Sequence, residues 1–240
     1  MNPLGTILSV WAHPDDEAYL SGAIMAHAVD NGERVVCVTA TRGEAGSWDH
    51  ERWPPAEMGR IREAELKECL AVLGVNEHHW LDYPDGGCDQ VDEAEATAKL
   101  AAIISDVAPD TVLTFGPEGQ TEHPDHIAVH RWITAAFEQA APPGARLHYS
   151  CVAADGKLPA SVDLLRRKSV FSANTPRLEP IAELSIFFEA PPELVDRKFL
   201  ALMAQVSQLE PVLGLFEGAG ETLMREWISE ESFVLGATVA

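Results

Sequence analysis

Short β-branched runs alternate with longer segments of helical period through the first two thirds of the chain. This alternation predicts an α/β fold, a mostly parallel sheet with covering helices. Strands are expected at Thr6 to Trp11, Arg34 to Thr39, His78 to Leu81, Asp110 to Phe115 and Leu147 to Val152. Helical patterns run from about Glu17 to Asn31, Pro55 to Leu73, Val91 to Val107 and Pro124 to Ala140. Gly32, Gly74, Pro109 and the Pro142-Pro143-Gly144 stretch each break a helix ahead of a strand. From about 156 to 240 the pattern is less regular, with a strand expected at Glu183 to Glu189 and a helix at Pro192 to Gln208. Gly218-Ala219-Gly220 follows no clear strand and lacks the third glycine of a dinucleotide loop, so it reads as a turn.

The 240 residues suit one large α/β domain over 1–240, its core at about 5–155. A formal net charge of −21 changes the picture of its partners, because such a surface repels nucleic acid and anionic lipid. Cys37, Cys69, Cys88 and Cys151 form no C-x-x-C pair and read as small packed residues. The first ten residues lack a basic n-region and no apolar run is long enough to span a bilayer, so a cytoplasmic address is expected.

The candidate chemistry lies at the ends of the expected strands. Ala12-His13-Pro14-Asp15-Asp16-Glu17 leaves the first strand, Thr41-Arg42-Gly43-Glu44 the second, Asp82 to Gly87 the third, and Gly116 to His126 the fourth. Ligands of open parallel sheets bind on this rim, near the switch in strand order. His13 and Asp16, three apart in a turn, can converge on one ion, and His126 completes the set from across the rim. Two neutral imidazoles and one carboxylate leave a coordination position open and the site net positive, which suits catalytic zinc. Asp15 sits between two ligands and must point elsewhere, towards the activated water, as general base. Pro124 suits the first position of a helix, making His123 its N-cap. His123 then stabilises an oxyanion or protonates a leaving amine, with Asp125 favouring its charged form and fixing its orientation.

Blander readings exist for each residue. An Asp-Asp pair after a strand commonly serves a helix dipole, and Arg42, Arg62 and Asp85 are of types that make surface ion pairs. His78-His79 is rejected as a metal pair because neighbours on a strand face opposite ways. His130 stands at helical spacing from His126 but reads as a solvent or core histidine; Trp48 and Trp53 suit a sugar face, and Trp80 suits the core.

The strings A-H-P-D-D-E at 12–17 and H-P-D-H at 123–126, in that order, resemble the PIG-L/LmbE family of zinc-dependent N-acetylglucosaminide deacetylases. The resemblance spans at least residues 5–131, with a weaker echo at Lys198-x-x-Ala201-Leu202-x-x-Gln205-x-Ser207-Gln208. It implies a Rossmann-like domain with helices on both faces of the sheet and the active site at the C-terminal ends of the strands. His13, Asp16 and His126 would be the zinc ligands, Asp15 the base and His123 the oxyanion or acid group. Arg62-x-x-Glu65-Leu66 resembles the helix bearing a substrate-binding arginine, and Leu81 to Gly86 a loop whose second aspartate, here Asp85, contacts sugar hydroxyls. Arg42 and Glu44 match the polar loop after the second strand and are assigned to substrate as well. Two differences stand out: Gln120-Thr121-Glu122 where glycines or a tyrosine are common, and Gln205 where a histidine is common.

The expected activity is removal of an N-acetyl group from an N-acetylglucosamine-type sugar or conjugate. The expected cofactor is one Zn2+ per chain, with Fe2+ or another divalent ion as alternative, and the partner a small amino sugar rather than nucleic acid or membrane. Subunit number is left open, including a homo-oligomer. Competing readings are an amidase on a glucosamine-thiol conjugate, a ferrous oxygenase using the same two-histidine, one-carboxylate set, and a carbohydrate-binding protein without catalysis.

Overall fold

Five consecutive buried residues, Ile7–Trp11, form β1, because a parallel strand covered on both faces has no polar side to show. The chain continues through α1 (Asp16–Asp30), β2 (Val35–Thr41), α2 (Met58–Leu73), β3 (Glu77–Tyr83), α3 (Glu93–Val107) and β4 (Thr111–Thr114). A single turn, α4 (Gly119–Glu122), precedes α5 (Pro124–Ala140) and β5 (Arg146–Ala153). Then come α6 (Ala160–Arg167), β6 (Leu178–Glu179), β7 (Ile186–Glu189), α7 (Pro192–Ala204), α8 (Val206–Leu215), α9 (Gly220–Ile228) and β8 (Glu230–Thr238). The computed structural model describes residues 1–155, 158–171, 176–216 and 220–239.

The sheet runs β3-β2-β1-β4-β5-β8-β7, with β6 paired to β5. Strands β3 to β5 along this order are parallel, and β8 is antiparallel to both β5 and β7. The order reverses at β1, which has β2 on one side and β4 on the other. Right-handed crossovers therefore put α1 and α2 on one face and α3 on the opposite face. Packing agrees, since α1, α2 and α7 contact one another while α3 lies against α5. The crevice between the C-terminal ends of β1 and β4 is the switch point where α/β sheets bind ligands.

Local chemistry sets the element ends, at Gly74 as expected from sequence and at Asp92 without having been foreseen. Gly74 closes α2 in the left-handed conformation at φ 84°, and the Asp92 carboxylate accepts the N–H groups of Ala94 and Glu95 at the start of α3. All four cysteines are free and buried. Among the described residues no helix is long and apolar enough to cross a membrane.

Two expectations need correcting. The helix drawn from Pro192 to Gln208 breaks at Gln205, whose φ and ψ of −84° and 49° are not helical. The break is held by side chains: Gln205 donates to the Glu17 carboxylate, and Glu65 accepts both the N–H and the hydroxyl of Ser207. The last third is also far more ordered than its pattern suggests, with α6, α9 and the nine-residue β8 unforeseen. Gly218 and Ala219 of the expected turn lie outside the described residues, and Gly220 opens α9.

β8 is tied to α1 by a fully buried ion pair. Lys198 Nζ, on α7, donates to the Tyr19 carbonyl and to Glu231 at 2.7–2.8 Å, and Glu231 accepts the N–H groups of Ala23 and Ile24. Removing one member of such a pair leaves the other charged and unpaired in the core. Lys198→Met is therefore expected to cost about 3–5 kcal/mol in chemical denaturation, more than Lys198→Met combined with Glu231→Gln.

Candidate metal centre

β1 and β4 deliver His13 and His126 to the same point although 113 residues separate them. His13 Nδ1 lies 3.1 Å from His126 Nε2, and the Asp16 carboxylate lies 3.5 Å from each of these nitrogens. Neighbouring donors on a tetrahedral ion bound at about 2.0–2.1 Å are roughly 3.3 Å apart, so this triangle fits a small divalent cation.

Each donor is fixed by a second bond. His126 Nδ1 donates to the Gly119 carbonyl at 2.9 Å, which leaves Nε2 with its lone pair facing the other two. His13 Nε2 lies 3.2 Å from both Asp85 and Asp125, so its proton is held there and Nδ1 is the free acceptor. Asp16 accepts the His13 backbone N–H at 2.8 Å.

Electrostatics match this division. Burial lowers the His13 pKa, but bonds to Asp125, Asp16 and Asp85 overcome it and raise the value well above the usual range. A bound cation would take the place of that proton. Burial pushes Asp16 up, yet His126 and His13 hold it well below the usual carboxylate range. His126 is lowered to about 4 by burial and the nearby His13, against the pull of Asp16, and so is neutral and ready to ligate. The net positive character expected of the site counts a bound dication against the single charge of Asp16; Asp15, Asp85 and Asp125 add further carboxylates around the three donors.

Asp15 adopts φ 122°, a left-handed value that costs a non-glycine residue roughly 1–3 kcal/mol. Two contacts hold it there: its N–H donates to Glu17 at 3.0 Å, and its carboxylate accepts from Arg62 at 3.1 Å. Burial raises its pKa to about 7 against the lowering effect of Arg62. Arg62 is 4% exposed and also donates to the Pro14 and Gly43 carbonyls. A Cβ on Gly43 or Gly46 would collide with its guanidinium, so both glycines are needed for this approach.

The other expected residues divide. His123 is the N-cap of α5; its Nδ1 accepts the Asp125 N–H at 3.2 Å, so the neutral ring carries its proton on Nε2. Asp125 does not orient it through a carboxylate as expected, because those oxygens accept from His13, Gly86 and Cys88. Burial and His13 hold the His123 pKa below its ordinary value; Asp125 favours the charged form as expected but is outweighed. Asp85 is drawn into the centre by His13 and by the Ala45 N–H, and Glu44 supports it by accepting the Asp85 N–H. Arg42 stands apart, bonded to Asp82 and Glu63 and lying 4.4 Å over the Trp80 ring.

Glu17 was missed beyond its place in the motif: fully buried, with a pKa raised to about 8 chiefly by burial, it links Asp15 to Cys69 and Gln205. No spacing signal marks such a role, which depends on α7 packing on α1 and on the Gln205 junction that follows it. An open polar cleft borders the centre, lined by Arg62, Asp85, His123 and Gln208 among others.

A family model described as PIG-L, GlcNAc-PI de-N-acetylase, matches residues 8–137. A 1D-myo-inositol 2-acetamido-2-deoxy-alpha-D-glucopyranoside deacetylase of Mycobacterium sp. (strain KMS) is 39% identical over 56% of this chain and 50% of its own length. The chain thus spans about half the length of the curated relatives it matches. Among solved structures, a conserved protein of Thermus thermophilus superposes with a TM-score of 0.64 at 27% identity, covering 98% of this chain and 95% of that one. The N,N'-diacetylchitobiose deacetylase of Pyrococcus horikoshii gives 0.64 at 20% identity, covering 96% and 83%, and so shares the fold.

The geometry separates ligands from their support. His13→Ala is expected to abolish tight binding of a divalent ion, whereas Asp125→Asn should weaken it about 10–100-fold. Competition against a chromogenic chelator measures both; equal affinity in Asp125→Asn and the unaltered protein would contradict the supporting role.

Proposed function

Because the chain belongs to the PIG-L, GlcNAc-PI de-N-acetylase, family, we propose that it is a divalent-metal-dependent hydrolase that removes the N-acetyl group from an N-acetylglucosamine-type sugar or conjugate. The observation that carries this reading is the convergence of His13, Asp16 and His126 beside Asp15 at the mouth of a polar cleft. His13, Asp16 and His126 would hold the ion, most simply Zn2+. When bound it supplies Lewis acidity, polarising a carbonyl and making water reactive near neutral pH.

The chain's own groups do the rest. Asp15, restrained by Arg62 and Glu17, takes the proton of the attacking water as its oxygen bonds to the amide carbon. His123, with its proton on Nε2, donates to the developing oxyanion. As the C–N bond breaks, the proton held by Asp15 or His123 passes to the departing nitrogen, giving acetate and a free amine. Asp85 and Gln208 border the cleft where sugar hydroxyls would lie, and Asp125 keeps His13 in register. Arg62 acts on this view through Asp15, while Arg42 and Glu44 shape the loop that carries Asp85. Residues 1–240 are taken as one catalytic domain, since α8 brings Gln208 to the cleft.

Incubation with N-acetylglucosaminyl-inositol, N,N'-diacetylchitobiose and N-acetylglucosamine, read as acetate release, tests the reaction. Asp15→Asn is expected to keep its metal, by elemental analysis, and lose about 10²–10⁴ in kcat. Near-normal turnover with metal bound would remove Asp15 as base, and oxygen uptake driven by a 2-oxo acid would mark an oxygenase instead.

A further inference from the structure

A second space reaches the same centre with a different set of walls. It is a cavity of about 290 Å3 that reaches Asp15, Asp16 and His126 but is otherwise mostly apolar, walled by Tyr19, Leu20, Val152, Val162, Leu165 and Trp227. Its polar neighbours are largely engaged by the protein. Ser150 donates to Gln120, Ser232 to the Cys151 carbonyl, and Glu231 is held by Lys198 and two backbone N–H groups. Such walls offer little to sugar hydroxyls and much to a hydrocarbon.

The two spaces share only Asp15, Asp16 and His126, the point where an amide would react. A trans amide directs its nitrogen substituent and its acyl chain away from each other. With the sugar in the polar cleft, the acyl chain therefore enters the apolar cavity. An acetyl methyl fills a small part of it. At about 30 Å3 per carbon, the figure for a water in liquid, the cavity holds roughly six to eight chain carbons once imperfect filling is allowed for.

We propose that the site takes medium-length apolar acyl chains in preference to acetyl, so that the N-acetyl sugars of the hydrolase reading are joined, and outperformed, by N-acylated amino sugars with longer acyl groups. This rests on the hydrolase reading above and refines its substrate. Glu226 and Glu230 also border the cavity, so a chain ending in a carboxylate is disfavoured.

The test compares N-acetyl-, N-butanoyl-, N-hexanoyl- and N-succinylglucosamine as substrates, together with octyl N-acetylglucosaminide. Titration calorimetry of acetate to octanoate into the intact protein gives a readout independent of turnover. Alkanoate Kd is expected to fall about threefold to fourfold per methylene up to hexanoate, kcat/KM to be at least about tenfold higher for hexanoyl than for acetyl, and the succinyl compound to be the poorest. Val162→Trp should cut the hexanoyl-to-acetyl ratio about tenfold or more by filling the cavity. Acetyl preference with flat alkanoate affinities, or a gain confined to the octyl glycoside, overturns the acyl assignment and leaves the deacetylase standing. Failure of every N-acyl compound, acetyl included, overturns the hydrolase reading itself.

Discussion

The centre depends on how the His13 ring divides its two nitrogens. Nε2 faces Asp85 and Asp125, and Nδ1 faces His126 and Asp16. An imidazole can ligate only through the nitrogen that carries no proton, so the carboxylates behind the ring decide which nitrogen is free. Those carboxylates come from the β3 loop and the first turn of α5, while the ring comes from the end of β1. Strands β3, β1 and β4 must therefore be in register before the donor set exists, β3 through its pairing with β2 and β4 directly on β1.

Gathering four carboxylates around two imidazoles is unfavourable unless each is answered. Asp125 and Asp85 are answered by His13 and by backbone N–H groups, and Asp16 by both rings. Asp15 is left with Arg62, whose single contact opposes burial only in part, and its raised pKa follows from that imbalance. The same buried environment that makes Asp15 a poor anion makes it a suitable proton acceptor near neutrality. Its left-handed backbone, the two glycines against Arg62 and the buried Glu17 behind it are costs of placing this one side chain.

Much of this was legible in the chain. The first five strands and four helices follow from runs and breaks, because a fully buried parallel strand such as β1 writes itself as an apolar string, broken here only by Ser9. His13, Asp15, Asp16, His123 and His126 were legible because they sit in two short strings at strand ends, and Pro124 foretold the N-cap geometry of His123. Asp125 was assigned to the wrong partner because sequence adjacency suggested His123, while the fold turns the carboxylate towards the β3 loop. Gln205 and Glu17 depend on a contact 188 residues apart, which no local period encodes. β8 was hidden because an antiparallel strand with one covered half carries only a short apolar run, Phe233 to Leu235, ended by Gly236.

That unforeseen segment bears on how far relatives inform on substrate. The family match ends at residue 137, and it includes all three proposed metal donors, Asp15, His123 and most of the polar cleft. The apolar cavity is different: beyond its mouth and the Tyr19-Leu20 stretch of α1, its walls come from residue 150 onward. The family description thus bears on the part of the centre that lies within the match and not on the walls of the apolar cavity. Lys198 and Glu231 couple these two parts physically, since their ion pair fastens β8 to the helix that carries Asp16. Tyr19 and Leu20 of that helix also line the cavity, so the proposed acyl site and the proposed metal donor Asp16 stand on one element.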